Sequence, residues 1–179
     1  MLVSVRLRSN EVLGTYNIGN ALSFVINPNG HIFAGTGHGV FRSIDNGISW
    51  SVTDLTQPLI YTLAINSKGQ LFAGSDRGVF RSEDNGEHWV RIAANTLPLA
   101  LFITINREGH LFAATFPDGI YRSTDNGEHW TAIHNDLLKG IRVEVITANS
   151  RDHLFAGTEK NGIFSQKTMA TPGRRSMPV

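Results

Sequence analysis

The chain has 179 residues, enough for one ordinary domain, and 41% of them are hydrophobic, so it can bury a core. Its 16 basic and 15 acidic residues give a net charge of +1, which indicates neither a nucleic-acid partner nor an anionic membrane surface. The chain has no cysteine, which excludes disulfides and thiolate metal sites. No apolar run approaches the ~20 residues of a membrane-spanning helix, so we expect no membrane insertion.

The first predicted element is a strand in the N-terminal segment, residues 1–9. Apolar and polar residues alternate there, with Leu2, Val3, Val5 and Leu7 as the apolar members. This period of two is typical of a half-buried strand. The segment is therefore a candidate outer strand for a sheet formed by the rest of the chain.

An internal repeat follows. The pattern Ser-Xaa-Asp-Asn-Gly-Xaa-Xaa-Trp, which we call the box, occurs at 43–50, 82–89 and 123–130. Its aspartates, Asp45, Asp84 and Asp125, are separated by 39 and then 41 residues. A fixed period of about 40 residues indicates a repeat architecture.

Each repeat predicts four short strands in the same order. The first strands, SFVIN, TLAIN, FITIN and VITAN, are apolar at nearly every position, as in strands covered on both faces. A Gly-containing turn, two further strands (IFAG and GVFRS in the first copy) and the box follow. A fourth strand is predicted from Trp50, Trp89 and Trp130 onward. The predicted units are 21–57, 60–97, 100–138 and 141–166; the last has no box, and 167–179 is predicted to be a disordered tail.

The box has a local structural explanation. Its Asp side chain can accept hydrogen bonds from backbone N–H groups just downstream, and its Ser can do the same more weakly. Its Gly supplies a positive φ, and its Trp can anchor the turn against the sheet. We therefore assign a structural role to all twelve of these positions: Ser43, Asp45, Gly47, Trp50, Ser82, Asp84, Gly86, Trp89, Ser123, Asp125, Gly127 and Trp130.

These residues make the chain resemble the BNR, or Asp-box, repeat proteins over roughly residues 20–166. The family box ends in Thr-Trp, and this chain departs from it at Ser49, His88 and His129. The resemblance implies an all-β fold, a β-propeller of about four blades, each a four-stranded antiparallel sheet. The cadence is most similar to photosystem II stability/assembly factor-like repeat proteins. Such proteins are mostly extracytoplasmic, which implies the same for this chain, although its first residues lack the apolar core of a signal peptide.

Two ways of completing the ring remain open. Segment 1–9 could supply the missing outer strand of the fourth blade and close a small four-bladed propeller. Alternatively, the chain is part of a longer propeller or closes by association with other copies, since open edge strands invite pairing.

The copies differ most in the loop between the second and third strands and at the entry to the first strand. Positions that recur carry the fold, so positions that differ are free to carry function. The resemblance implies that these loops share one face of the propeller. The candidate binding residues there are His38, Tyr61, Asp76, Arg77, Phe116, Asp118, Arg142, Glu144, Glu159 and Lys160.

The leading functional hypothesis is a non-catalytic propeller that binds a protein or a glycan through this loop face. The first alternative is a sialidase-like or xyloglucanase-like glycoside hydrolase. It would need two carboxyl groups about 5–9.5 Å apart, supplied by Asp76, Asp118, Glu144 or Glu159. The second alternative is a purely structural segment of a larger secreted protein.

Recurrent charged and imidazole residues are assigned structural roles. Arg42, Arg81 and Arg122 occupy one repeat position beside the box, and the chain has no Phe/Tyr-Arg-Ile-Pro motif of the sialidases. His88 and His129 are predicted to be exposed hairpin residues rather than a metal pair. The Asp-Asn-Gly triplets lack the alternating acidic ligands of a calcium loop. We therefore expect no metal and no cofactor.

Overall fold

The computed structural model describes residues 2–6, 12–17, 20–93, 96–133, 138, 140–149 and 153–167. Within these ranges the chain forms strands and turns and no α-helix, as the all-β prediction requires. No helix in the described part of the chain is both long and apolar enough to cross a membrane. Of the predicted tail, Lys167 ends the last strand, and 168–179 lie outside the described residues.

The described strands form four sheets, which we call blades 1 to 4. Blade 1 contains β3 (Ala21–Ile26), β4 (Ile32–Thr36), β5 (Gly39–Ser43) and β6 (Trp50–Val52), together with the N-terminal β1 (Leu2–Arg6) and β2 (Val12–Asn17). Blade 2 contains β7 (Ile60–Ile65), β8 (Leu71–Ser75), β9 (Gly78–Ser82) and β10 (Val90–Ile92). Blade 3 contains β11 (Phe102–Ile105), β12 (Leu111–Thr115), β13 (Gly119–Ser123) and β14 (Thr131–Ala132), and blade 4 contains β15 (Val143–Ala148), β16 (His153–Thr158) and β17 (Ile163–Lys167).

Each repeat unit pairs its strands antiparallel in chain order, so one repeat makes one blade. The fourth strand starts at Trp50 in blade 1, but one residue after Trp89 and Trp130 in the next two blades. Blade 4 has three described strands because its copy of the repeat lacks the box.

The N-terminal strand does not join blade 4. β1 pairs with β2 in an antiparallel hairpin and runs parallel to β6, with Val5 opposite Trp50 and Arg6 opposite Ser51. Of the two ways of completing the ring, the one in which segment 1–9 supplies the outer strand of blade 4 is therefore wrong, because Leu2–Arg6 lie in blade 1. The edge strand β6 offers unpaired backbone groups within the same chain, and β1 satisfies them there.

Neighbouring blades pack through apolar cores that we call joints. The first strands follow one another across them: β3 contacts β7, β7 contacts β11, and β11 contacts β15. In the first joint, Phe33 and Val40 of blade 1 pack against Leu63 and Leu71 of blade 2, and all four are buried. The other two joints repeat this arrangement; their buried members are Phe72, Val79, Ile92, Leu97, Ala100, Ile103, Leu111 and Ala113 in one, and Phe112, Ala114, Ile120, Leu138, Val143, Ile146, Leu154 and Ala156 in the other.

The four blades do not close into a ring. Among the described strands, no comparable contact joins β15 back to β3. Phe24 on β3 is 57% exposed, whereas the residue at its position in blade 2, Leu63, is 6% exposed. The expectation that every first strand is covered on both faces is therefore wrong for blade 1. The apolar pattern is present there, but no preceding blade covers it.

Candidate functional site

The box forms a hydrogen-bonded hairpin between the third and fourth strands. In blade 1 the Ser43 hydroxyl donates to Asp45 Oδ1 at 2.8 Å and accepts from the backbone N–H of Gly47 at 2.8 Å. The Asp45 carboxylate also accepts from the backbone N–H of Ser49 at 2.8 Å. Equivalent bonds recur in blades 2 and 3, so in each hairpin the Ser and Asp side chains bond to each other and to backbone groups of the same box.

The residue before Trp, where the chain departs from the family box, completes this network. His88 Nδ1 lies 2.5 Å from Asp84 Oδ2, and His129 Nδ1 lies 2.7 Å from Asp125 Oδ2. The hydrogen bond from the His129 backbone N–H is the main cause that lowers the pKa of Asp125 to about 2. Burial alone would raise the pKa of Asp84, but hydrogen bonds from His88 and Ser82 lower it to about 2. These histidines hold box carboxylates, and we assign them no ligand.

The boxes of blades 2 and 3 also form hydrogen bonds and ion pairs with an arginine of the preceding blade. Arg42 Nη1 of blade 1 donates to the Asn85 carbonyl at 2.9 Å and lies 2.6 Å from Glu87 Oε1. Arg81 of blade 2 donates to the Asn126 carbonyl and to Glu128 Oε1, both at 2.8 Å. In blades 2 and 3 the box therefore stabilises the joint to the preceding blade as well as its own turn. The repeat position of the arginines indicated a structural role, but sequence alone gave no sign that their partners lie one blade further along.

The candidate binding residues lie at the opposite end of the blades from the boxes. Strand register places the start of each first strand beside the end of the second: Ala21 is opposite Thr36, Ile60 opposite Ser75, and Val143 opposite Thr158. The turns between second and third strands leave from this same end. We call these turns and strand starts the rim.

Rim turns share one backbone design and differ in their exposed side chains. In blade 1 the Thr36 hydroxyl donates to the Gly39 carbonyl at 3.0 Å and accepts from the backbone N–H of His38. Ser75 does the same for Gly78 and Arg77 in blade 2. This bonding fixes each turn while the side chains of His38 and Arg77 remain exposed.

Connections between blades brace the rim. In blade 2 the Leu59 N–H donates to Asp76 Oδ1 at 3.0 Å, and the Asp76 N–H donates to the Leu59 carbonyl at 3.2 Å. In blade 3 the Gly140 N–H donates to the Pro117 carbonyl at 2.9 Å. The loops joining consecutive blades are therefore anchored to the rim turns.

Blade 3 presents the largest apolar group of the rim. Phe116 is 46% exposed at the turn that also carries Asp118. Burial, and then the negative charge of Asp118, raises the pKa of Tyr121 on the adjoining strand. Tyr61, the other aromatic candidate, lies half-buried on β7.

Blade 4 contributes exposed ion pairs. Arg142 Nε lies 3.0 Å from Glu144 Oε1, and Lys160 Nζ lies 4.0 Å from Glu159 Oε1. The Glu159 backbone N–H donates to the Arg142 carbonyl at 3.1 Å, which brings the two pairs to one corner of the rim. Both pairs are solvent-exposed, so a charged ligand can compete for them at low cost.

No cluster of three or more His, Asp or Glu side chains in the described part of the chain could hold a metal ion. A cleft of about 270 Å³ lies between blades 1 and 2 on the box side, lined by Arg42, Ser51, Val52, Thr53, Gly86 and Glu87. Because its cation and its carboxylate are bound to each other, this cleft belongs to the joint.

Comparison with solved structures agrees with the fold. A structure of YCF48 bound to D1 peptide superposes with a TM-score of 0.66 at 17% identity, covering 86% of this chain and 54% of that one. The Dos1 propeller gives 0.67 at 16% identity, covering 84% and 47%. A GH74 enzyme from Niastella koreensis gives 0.65 at 16% identity, covering 83% and 28%.

The fold is therefore that of a β-propeller, open between blades 1 and 4. The chain spans about half the length of the YCF48 chain that it matches. No family model matches it, and neither does any curated protein. The Asp-box family accordingly remains a resemblance carried by the box residues.

Proposed function

We propose that this chain is a non-catalytic binding module that takes a protein segment on its rim. The observation that carries the proposal is the contrast between the two ends of each blade. At the box end, recurrent charges are bound within and between blades, as Arg42 is to Glu87. At the rim, the backbone is fixed by recurrent hydrogen bonds while the exposed side chains change from blade to blade.

A peptide suits this surface chemically. Phe116 offers an exposed aromatic group, Arg77 an exposed cation, and Asp118 a carboxylate, each on a turn held by backbone hydrogen bonds. Preorganised turns reduce the ordering cost of binding, and aromatic and arginine side chains supply most of the binding energy at protein interfaces. The YCF48 structure, with its bound D1 peptide, supports a peptide as the ligand class on this fold.

A glycan is the second ligand class that we consider for the same surface. The GH74 neighbour supports carbohydrate as a candidate and also brings the hydrolase alternative. Of the four rim carboxylates, Asp76 accepts a backbone hydrogen bond from Leu59, which gives it a role in bracing the rim. Glu144 pairs with Arg142 at the exposed surface, where a charged ligand can compete for it. The hydrolase alternative would need two of these carboxyl groups to act as acid and nucleophile.

The test is direct binding of the whole chain to an array of random-sequence peptides of mixed charge, with a glycan array run in parallel. Peptides that bind are then titrated by fluorescence anisotropy. We expect Phe116→Ala and Arg77→Ala each to weaken binding by about tenfold or more. The matched control is Lys68→Ala, which alters an exposed turn at the box end and should leave the affinity unchanged.

Three outcomes would count against the proposal. Binding that Lys68→Ala weakens as much as Arg77→Ala would place the site away from the rim. Binding to glycans alone would replace the protein ligand with a carbohydrate. Turnover on a glycoside panel, lost in Glu144→Gln or Asp118→Asn, would establish the hydrolase alternative.

A further inference from the structure

Large apolar side chains are exposed mainly on blades 1 and 4, the two blades between which the propeller is open. Of the nine that are exposed among the described residues, five lie in blade 1 and two in blade 4. Those of blade 1 are Leu22, Phe24, Ile26, Ile44 and Ile48, and those of blade 4 are Val145 and Ile163. An apolar surface of this kind on a soluble domain marks an interaction site.

Strand register shows that these two surfaces are the two halves of a joint. Phe24 lies opposite Ala34, as the buried joint residue Leu63 lies opposite Ala73. Ile163 lies opposite Gly157, as Val40, which is fully buried in the first joint, lies opposite Gly35. Blade 1 therefore presents the half that receives a preceding blade, and blade 4 presents the half that receives a following one.

The ion pair of the first two joints, Arg42 with Glu87 and Arg81 with Glu128, is replaced at both exposed ends. Ser165 of blade 4 lies opposite Phe155, as Arg42 lies opposite Phe33 and Arg81 opposite Phe72. Ile48, three residues after Asp45, occupies the box position held by Glu87 and Glu128. Losing one partner would leave a charge unpaired in a joint, whereas losing both leaves none. The two surfaces are thus matched in charge to each other.

The polar part of a joint is retained at both ends. In the first joint, Asn27 donates to the Asn85 side chain, whose Nδ2 lies 2.8 Å from His31 Nδ1. Blade 4 keeps one of these bonds: the His153 N–H donates to Asn149 Oδ1 at 3.0 Å, as the His31 N–H does to Asn27 Oδ1 at 2.9 Å.

The box of blade 1 keeps the matching element. Its Asn46 has a φ of 57°, beside 63° for Asn85 and 62° for Asn126 at the same position. Because the backbone is the same, Asn46 is presented outward as Asn85 is presented to blade 1. In a fourth joint, Asn46 can therefore contact Asn149 and His153 as Asn85 contacts Asn27 and His31 in the first joint.

We infer that a second copy of this chain occupies these surfaces, head to tail, with blade 4 of each copy joined to blade 1 of the other. Propellers have four to eight blades, and one copy contributes four that do not close on themselves. Two copies give eight blades, a complete ring with two identical joints related by a twofold axis. Both exposed apolar surfaces of both copies are buried in that ring.

The first measurement is the molar mass of the whole chain by sedimentation equilibrium over a range of concentrations. We expect twice the chain mass of 19.7 kDa at the upper end, with reversible dissociation on dilution. A single chain at every concentration would overturn the inference. So would growth beyond two copies, which marks an open filament rather than a ring.

Charge variants then test which surfaces meet. Ile48→Glu puts a carboxylate into each new joint, and Ser165→Arg puts a cation there; we expect each alone to weaken association by about 100-fold or more. Ile48 is 82% exposed and Ser165 is also exposed in one copy, so neither change should disturb folding.

The decisive sample is an equimolar mixture of the two variants. Each mixed ring would contain one joint in which the introduced carboxylate meets the introduced guanidinium, as Glu87 meets Arg42, and one joint of the original kind. We expect the mixture to recover two-chain assemblies, and circular dichroism of each variant alone confirms that it is folded. Association that neither variant weakens, or that mixing folded variants does not restore, would show that other surfaces hold the copies together.

Discussion

The boxes of blades 1 and 2 have the same internal hydrogen bonds in different surroundings. In blade 2 the Gly86 position faces Phe33 of the preceding blade, and Glu87 meets Arg42. In blade 1 the Gly47 position has only its own Trp50 nearby, and Ile48 is exposed. The comparison separates two tasks within one motif. Ser and Asp fold the hairpin wherever it stands, while the Gly and the residue after it reflect what the hairpin packs against.

The largest expected difference is between Gly86→Ala and Gly47→Ala, both made in the Ile48→Glu background to remove association. A Cβ at Gly86 would lie 2.6 Å from Cε1 of the fully buried Phe33, and φ there is +80°. Positive φ and overpacking together should lower the free energy of unfolding by about 2–4 kcal/mol. Gly47→Ala has only the positive φ to accommodate, about 1 kcal/mol. Urea unfolding measures both, and equal losses would refute the packing role assigned to Gly86.

The next comparison concerns the first strands. Leu63→Ala removes a side chain that is 6% exposed in the first joint and should lower the free energy of unfolding by about 2–5 kcal/mol. Phe24→Ala changes the same position in blade 1, which is 57% exposed, and should change it by less than about 1 kcal/mol in dilute protein. Denaturant unfolding of both variants measures these two changes in the free energy of unfolding. A comparable loss in Phe24→Ala would mean that another part of the chain covers this face.

A smaller difference is expected between two arginines. Arg81, with a side chain 16% exposed, binds the Asn126 carbonyl, Glu83 and Glu128, so Arg81→Ala should lower the free energy of unfolding by about 1–3 kcal/mol. Arg142, in an exposed pair with Glu144, should contribute at most about 0.5 kcal/mol. Thermal unfolding with a chemical-denaturation check distinguishes them. If Arg142→Ala proved the more destabilising, the rim would be a structural face.

The smallest expected effect concerns the pH dependence of the stability of the folded chain. The pKa of Asp84 and of Asp125 is lowered from 3.8 to about 2 in the folded chain. The stability that these carboxylates contribute is therefore complete above their ordinary pKa and is lost as the pH falls from about 4 toward 2. The urea midpoint of the unaltered chain should fall across that window, and Asp84→Asn should reduce the slope. An identical slope in both proteins would mean that other carboxyl groups govern acid unfolding.

Much of the fold could be predicted from the sequence because the same pattern of strands recurs in all four copies of the repeat. The alternation of residues and the turn glycines define each blade locally, and Ser, Asp and Gly explain the hairpin without reference to any neighbour. The pairing of β1 with β6 could not be predicted in this way. A short amphipathic strand fits more than one sheet edge, and the choice depends on which edge lies within reach.

The candidate site was harder to predict for the same reason. Repeat comparison located the variable turns, including Phe116 and Asp118, but gave no indication of the Arg142–Glu144 pairing or of the link from Asp76 to Leu59. It also gave no sign that Glu87 and Glu128 serve the blade before their own. Such contacts depend on how blades pack, and a pattern confined to one repeat does not contain that information.

The boxes of blades 2 and 3 each contact the blade that precedes them in the chain, and this order has a consequence for synthesis. Glu87 and Glu128 each reach back to an arginine made earlier in the chain, so a nascent blade can be locked as soon as the next hairpin leaves the ribosome. Each of these contacts spans about one repeat, so it can form once the next repeat has been synthesised. The blades can thus fold one after another from the N-terminus, and each new blade buries the apolar surface that the preceding blade exposes.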